Sequence, residues 1–162
     1  MRQLWAPWRM AYLRGEHQPM DGCIFCEKLN YPDEQEHILH RGKFCYVTLN
    51  RFPYTNGHLL VVPYVHTGVL EDLDDPTSLE LMQLVRHSIR QLRQIYQPQG
   101  FNVGVNEGSA AGAGVPKHVH LHIVPRWEGD ANYMTVVGDT RIIPDSLEAT
   151  YAALKPLFED LT

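Results

Sequence analysis

His118-Val119-His120-Leu121-His122-Ile123-Val124 is the stretch on which the reading of this chain turns. In an extended strand, successive side chains point to opposite faces. The pattern therefore predicts three imidazoles on one face, with Val119, Leu121 and Ile123 in the core. Next-nearest imidazoles would stand about 6.6–7 Å apart along such a strand, too far for all three to serve one atom. They must divide the labour. Two chemistries suit the row: a His-x-His pair presented to a catalytic metal, or one activated imidazole acting as a covalent nucleophile.

Immediately upstream lies Glu107-Gly108-Ser109-Ala110-Ala111-Gly112-Ala113-Gly114, a loop of small residues. Such loops let backbone N–H groups approach a phosphate without side-chain obstruction, so one joined to the histidine strand reads as a cradle delivering an anion to an imidazole. Residues 101–106, before the loop, are β-rich. So are 43–49 and 57–63, and Pro53-Tyr54-Thr55-Asn56-Gly57 between them carries the Asn-Gly signal of a hairpin. Thr77-Ser78-Leu79-Glu80 has the form of a capping box, predicting a helix over 77–96 with Leu81, Val85, Ile89, Leu92 and Tyr96 as its apolar stripe. A last strand is expected at 133–137 and a terminal helix over 144–157, with Pro144 in its first turn. Strands, a long helix and further strands indicate α+β with an antiparallel sheet of about five strands.

At 162 residues with 44% hydrophobic content, the chain should form one domain with a full core. Its 14 Lys plus Arg against 19 Asp plus Glu leave a net charge of −5, which argues against a general nucleic-acid binder. An anionic small molecule still fits, because clustered backbone N–H groups bind phosphate inside an acidic protein. Three cysteines, Cys23, Cys26 and Cys45, are too few and odd for a disulfide framework, and no leader is evident, so a cytoplasmic setting is expected. The longest aliphatic run, Leu59-Leu60-Val61-Val62, is far below the roughly 20 residues of a membrane span. Trp5, Pro7, Trp8, Tyr12 and Pro19 mark the first 22 residues as an arm over the domain or a partner subunit.

Cys23-Ile24-Phe25-Cys26 is half of a tetrahedral zinc site, and His66 and His118 are the favoured remaining ligands. A redox pair is the alternative, and Cys45 reads as core. If zinc takes His118, then His120 is left as the nucleophile. His122 can hydrogen-bond a phosphate oxygen or the leaving group, and His58 can complete a hydrogen-bond chain. Neutral imidazole, with an ordinary pKa near 6.5, suits a two-step transfer through a phosphoramidate.

The histidine run, together with Asn50-Arg51-Phe52-Pro53, Asn56-Gly57-His58 and Asn106-Glu107-Gly108-Ser109, resembles the signature of the histidine triad (HIT) superfamily over about residues 23–127. Leu4-Trp5-Ala6-Pro7-Trp8-Arg9 and Pro125-Arg126-Trp127-Glu128-Gly129-Asp130-Ala131-Asn132 resemble its bacterial branch that includes diadenosine tetraphosphate phosphorylases. The resemblance implies a HIT-like fold and a nucleotidyl transferase or hydrolase working through a covalent nucleotidyl-His120. Diadenosine tetraphosphate would be split by inorganic phosphate into ADP and ATP. Dinucleoside polyphosphate hydrolysis and nucleoside phosphoramidase activity are variants of the same chemistry. A metal-dependent hydrolase and a non-catalytic nucleotide-binding module are readings of other classes.

Carried over by position, the resemblance implies that His118, His122 and His58 complete the network of His120. Asn50 would lie near the ribose, Asn106, Ser109, Ala113 and Gly114 around the phosphates, and Trp127 close to the nucleotide. Cys23, Cys26, His66 and His118 would hold structural zinc, with no organic cofactor. Many relatives have Ser or Gln where this chain has Ala113 and Gly114, so backbone donors would serve the phosphates here. A homodimer is implied, with the helix over 77–96 or the tryptophan arm near the contact. The expected layout is a single domain, with an arm over 1–22, a core over 23–127 and an extension over 128–162.

Overall fold

A computed structural model describes residues 22–130, 142–159 and 161 of the chain. The expected strand at 133–137 and nearly all of the tryptophan arm lie outside the described residues. Chain order runs through two short helices, α1 (Ile24–Glu27) and α2 (Asp33–Glu36), into strands β1 (Ile38–Arg41), β2 (Cys45–Leu49) and β3 (Leu59–Pro63). Helix α3 (Asp75–Tyr96), strands β4 (Gly100–Val105) and β5 (Leu121–Arg126), and helix α4 (Leu147–Leu154) follow. The five strands form one antiparallel sheet in the order β1-β2-β3-β5-β4.

Every residue of β2 and β3 is buried, because both faces of these central strands are covered. On one face Cys45, Val47, Leu49, Leu59 and Val61 meet Leu81, Leu84, Val85 and Leu92 of α3, whose apolar side chains recur at helical spacing. Each such buried side chain contributes about 1.5–3 kcal/mol of transfer free energy. On the other face Tyr46, Leu60 and Val62 pack with Phe25 and Ile38. That second layer is smaller, and among the described residues β4 is left largely exposed while β5 is mostly buried.

Four expectations are corrected. Helix α3 starts at Asp75 rather than Thr77: the Asp74 carboxylate accepts from the Thr77 N–H at 3.0 Å and serves as the cap. Glu80 closes no capping box. Its carboxylate accepts from the backbone N–H groups of Lys43, Phe44 and Cys45 and anchors the start of β2 to α3. The described fifth strand is β1, an edge strand with a register shift. Helix α4 is capped by Ser146, whose hydroxyl accepts from the Ala149 N–H, so Pro144 precedes the helix instead of opening it.

The loop between β2 and β3 is longer than a tight hairpin. It is closed by the Asn50 N–H donating to the His58 carbonyl at 2.9 Å, with Gly57 at a φ of 72°. A Cβ at Gly57 would come within 2.9 Å of Leu92, so glycine is required there by both conformation and space. The histidine run also differs from a uniform strand, since β5 begins only at Leu121. Val119, Leu121 and Ile123 are buried as the alternation predicts. Upstream of Leu121, however, the Val119 N–H is taken by the Thr67 carbonyl at 2.7 Å and the His118 N–H by the Val115 carbonyl at 3.2 Å, and the row of imidazoles breaks.

Candidate active site

His118, His120 and His122, at alternate positions in the sequence, sit in three different hydrogen-bonding environments. Of these histidines and His58, only His122 is more than slightly exposed. The partners assign each ring its tautomer. The Tyr54 N–H donates to His58 Nδ1 at 3.0 Å, so the proton of a neutral His58 sits on Nε2. That Nε2–H faces His122 Nδ1 at 3.0 Å and donates to it, which leaves the His122 proton on Nε2. His120 is oriented independently. Its Nδ1–H donates to the His118 carbonyl at 2.8 Å, and the Nε2 lone pair is left as the reactive atom.

Ring contacts hold this geometry. His120 and His122 have centroids 4.9 Å apart, and Phe25 packs against His120 at 4.7 Å. Tyr54 lies over His58 at 4.5 Å and stacks on His122 at 5.8 Å with planes 13° apart. Burial disfavours the charged form, so the pKa of His120 falls below its ordinary value despite the bond to the His118 carbonyl. His122 is lowered to about 4, first by burial and then by neighbouring His120. Both rings are therefore neutral at physiological pH, as a nucleophile and a neutral N–H donor must be.

His118 turns away from this pair. Its Nε2–H donates to the Pro63 carbonyl at 2.9 Å, so its Nδ1 lone pair faces the thiols of Cys23 at 3.2 Å and Cys26 at 3.6 Å. His66 Nδ1 stands 3.4 Å from Cys26 Sγ, and all four ligand atoms lie within 4.8 Å of one another. Tetrahedral zinc with ordinary bond lengths would set sulfur and nitrogen about 3.6 Å apart, close to these spacings. The donor set fits that ion, and the His118–Pro63 bond is the outer contact that orients a ligating imidazole. Burial and adjacent Cys23 push the Cys26 thiol up, a penalty that a divalent cation would remove.

Next to His122 opens a cavity of about 800 Å³, whose lining includes Asn106 and Trp127. Trp127 is held by its indole N–H donating to the Tyr96 carbonyl at 3.3 Å. Asn50 lies elsewhere, its amide 3.3 Å from His58 Nδ1 and its carbonyl accepting from the Phe52 N–H. Ser109 and Gly114 are exposed and Ala113 half-buried; none of the three lines the cavity. Within that loop the amides of Ala111, Gly112 and Ala113 donate to the carbonyls of Gly108 and Ser109, which narrows the set of backbone donors left for an anion.

Two participants were invisible in the sequence. Tyr54 had read only as a turn residue, and Phe25 only as a spacer between cysteines. Neither has a periodic or motif signal, because each acts through a fold-generated contact with a ring distant in the chain.

The HIT domain family model matches residues 32–129. AP-4-A phosphorylase of Mycobacterium tuberculosis is 41% identical over 157 residues, covering 93% of this chain and 80% of that protein. Bis(5'-adenosyl)-triphosphatase of Saccharomyces cerevisiae is 33% identical over 94 residues, 57% of this chain and 45% of that one. Among solved structures, a zinc-bound histidine triad family protein from Mycobacterium smegmatis superposes with a TM-score of 0.67 at 29% identity, covering 84% of this chain and 92% of its own. A histidine triad nucleotide-binding protein from Sulfolobus tokodaii gives 0.68 at 25% identity, covering 86% and 93%.

Proposed function

Because this chain belongs to the HIT domain family, we propose that it is an enzyme that cleaves dinucleoside polyphosphates, with diadenosine tetraphosphate and inorganic phosphate as its substrates. The observation that carries the proposal is the orientation of His120: Nδ1–H is committed to a backbone carbonyl, and a neutral Nε2 lone pair sits beside the N–H donor of His122. His120 Nε2 attacks the α-phosphorus, a P–N bond forms, and the bond from that phosphorus to the bridging oxygen breaks. ATP departs while His122 Nε2–H hydrogen-bonds the leaving oxygen. Phosphate then attacks the same phosphorus, the P–N bond breaks, and ADP and free His120 are released.

His58, backed by Tyr54 and Asn50, holds His122 in the donating tautomer. Asn106, Ser109, Ala113 and Gly114 would line the phosphates, Asn50 the ribose and Trp127 the nucleotide. Zinc on Cys23, Cys26, His66 and His118 would act as a structural clamp that fixes His118 and, through its carbonyl, His120. The chain would work as one domain, with its chemistry in residues 23–127, in a cytoplasmic homodimer. Among the described residues no helix is long and apolar enough to cross a membrane.

The test is product analysis with diadenosine tetraphosphate, with and without phosphate. ATP plus ADP formed only with phosphate supports phosphorolysis. AMP plus ATP in its absence means hydrolysis. An active preparation in which no adenylylated His120 can be trapped overturns the mechanism.

A further inference from the structure

Asn56 is buried in the loop between β2 and β3, yet its side chain is met by a residue 89 positions away in the chain. Its Nδ2–H donates to the Asp145 carboxylate at 3.1 Å, and its Oδ1 accepts from the Asp145 backbone N–H at 3.3 Å. Any donor and acceptor would satisfy a buried amide. Two bonds to a single residue do more, because together they fix distance and orientation, as bidentate pairs do.

The residues so joined belong to very different parts of the fold. Asp145 directly precedes Ser146, the cap of α4, and beyond that helix's start Leu154 and Phe158 are locked into the main core. It is therefore a fixed point. Asn56 lies midway between Tyr54 and His58, in a loop without regular structure. In the same loop the Thr55 hydroxyl donates to the Pro125 carbonyl of β5 at 2.8 Å, and the His58 N–H donates to the Thr55 carbonyl at 3.3 Å. The Tyr54 N–H is thus carried by a loop moored to β5 through Thr55 and to the entry of α4 through Asn56. Its bond to His58 Nδ1 is 3.0 Å long, and a drift of about 0.6 Å would take it out of hydrogen-bonding range. His58 could then carry its proton on Nδ1, and the 3.0 Å bond to His122 Nδ1 would lose its donor.

We propose that Asn56 and Asp145 are positioning residues for the transfer reaction: through them the C-terminal segment steadies the Tyr54 amide against His58 and so keeps His122 in the tautomer that donates to the leaving group. This rests on the nucleotidyl-transfer function proposed above. The chemical consequence is selective. A strongly basic departing oxygen needs the His122 N–H most, so loosening the pair should slow poor leaving groups more than good ones.

The experiment compares kcat/KM for two esters of AMP that differ only in the leaving group, phenolate (poor) and p-nitrophenolate (good). In each, the P–N bond to His120 forms as the bond from phosphorus to the phenolic oxygen breaks. Asn56→Asp sets two carboxylates against each other and should lower the phenyl-to-nitrophenyl ratio at least fivefold. Asp145→Ala, at an exposed position ahead of α4, should lower it at least threefold, and it decides the matter if Asn56→Asp folds poorly. The double variant Asn56→Asp/Asp145→Asn lets both bonds re-form with the side-chain donor and acceptor exchanged, and should bring the ratio back to within twofold of the unmodified protein. Nitrogen NMR of the histidine rings supplies a readout independent of turnover: the His122 proton should sit on Nε2 in the unmodified protein and shift toward Nδ1 in Asn56→Asp and Asp145→Ala. Equal losses for the two esters, an unchanged ratio or tautomer in Asp145→Ala, or no recovery in a folded double variant overturns the positioning role. Failure of the underlying function looks different, since the unmodified protein would then leave no adenylyl group on His120 with either ester, while the tautomer shift would still report on the pair.

Discussion

Two clusters of histidine meet at one short segment, residues 118–122, and their nitrogen atoms are used in opposite ways. Around His118, lone pairs converge: His118 Nδ1, His66 Nδ1 and two sulfurs point at one another within 4.8 Å. Around His122, donors and acceptors alternate, with the Tyr54 N–H feeding His58 and His58 feeding His122 at 3.0 Å each. Convergent lone pairs suit a cation, whereas an alternating chain suits a defined proton position. Imidazole identity is the same in both. What differs is the group bonded to the far nitrogen, a carbonyl for His118 and an amide N–H for His58.

The sharpest break in this contrast is at His120, which lies between the clusters. His120→Asn should reduce turnover about ten-thousand-fold or more and abolish the adenylylated peptide, as measured by steady-state kinetics and mass spectrometry. Attacking the convergent cluster should act on stability instead. Cys23→Ser, or chelation of bound metal, should lower the melting temperature by roughly 5–15 °C, read by calorimetry against the metal-loaded protein. Comparable melting with and without chelator would dissolve the distinction between the clusters. Interrupting the alternating chain should do the reverse. His58→Ala removes the hydrogen bond that fixes the His122 tautomer and should lower kcat about tenfold, with a smaller effect on KM.

The smallest effect concerns pH. His122 titrates at about 4 because of burial, and His120 is lowered in the same direction. Since protonation of the folded rings is delayed to lower pH, kcat should hold its plateau as pH falls through about 6.5 and decline only below it. Stability moves oppositely to that delay. The unfolded chain takes up protons at these positions first, so the folding free energy should fall as pH drops from the ordinary histidine pKa of 6.5 toward 4. Denaturant midpoints between about pH 4 and 7 would measure the slope.

Much of the fold was legible where a period could be counted. The β-rich segments over 43–49 and 57–63 became β2 and β3, and Leu81, Val85 and Leu92 of the stripe on α3 turned inward as read. The errors share a cause. Thr77-x-x-Glu80 has the form of a local cap, but three backbone N–H groups at the start of β2 compete for Glu80 and win, and Asp74 takes the cap. Ile38–Arg41 escaped notice because a four-residue edge strand is too short to show a countable pattern. At the site, the Cys23-x-x-Cys26 pair announced half of a ligand set, and His66 and His118, the favoured candidates that the family resemblance also implied, are brought beside it by the fold. Tyr54 and Phe25 carried no signal, since their relevance lies in rings reached only through folding.

Residue chemistry, family membership and the burial of Val119, Leu121 and Ile123 were determined by the sequence alone, because they depend on side-chain type and near-neighbour spacing. Which nitrogen of each histidine carries its proton was decided by the tertiary structure. That choice belongs to the partner: the Pro63 carbonyl for His118, the His118 carbonyl for His120, and the Tyr54 amide for His58 and, through it, His122. Three imidazoles so close in sequence become ligand, nucleophile and donor because backbone groups from separate strands and loops meet them at different atoms.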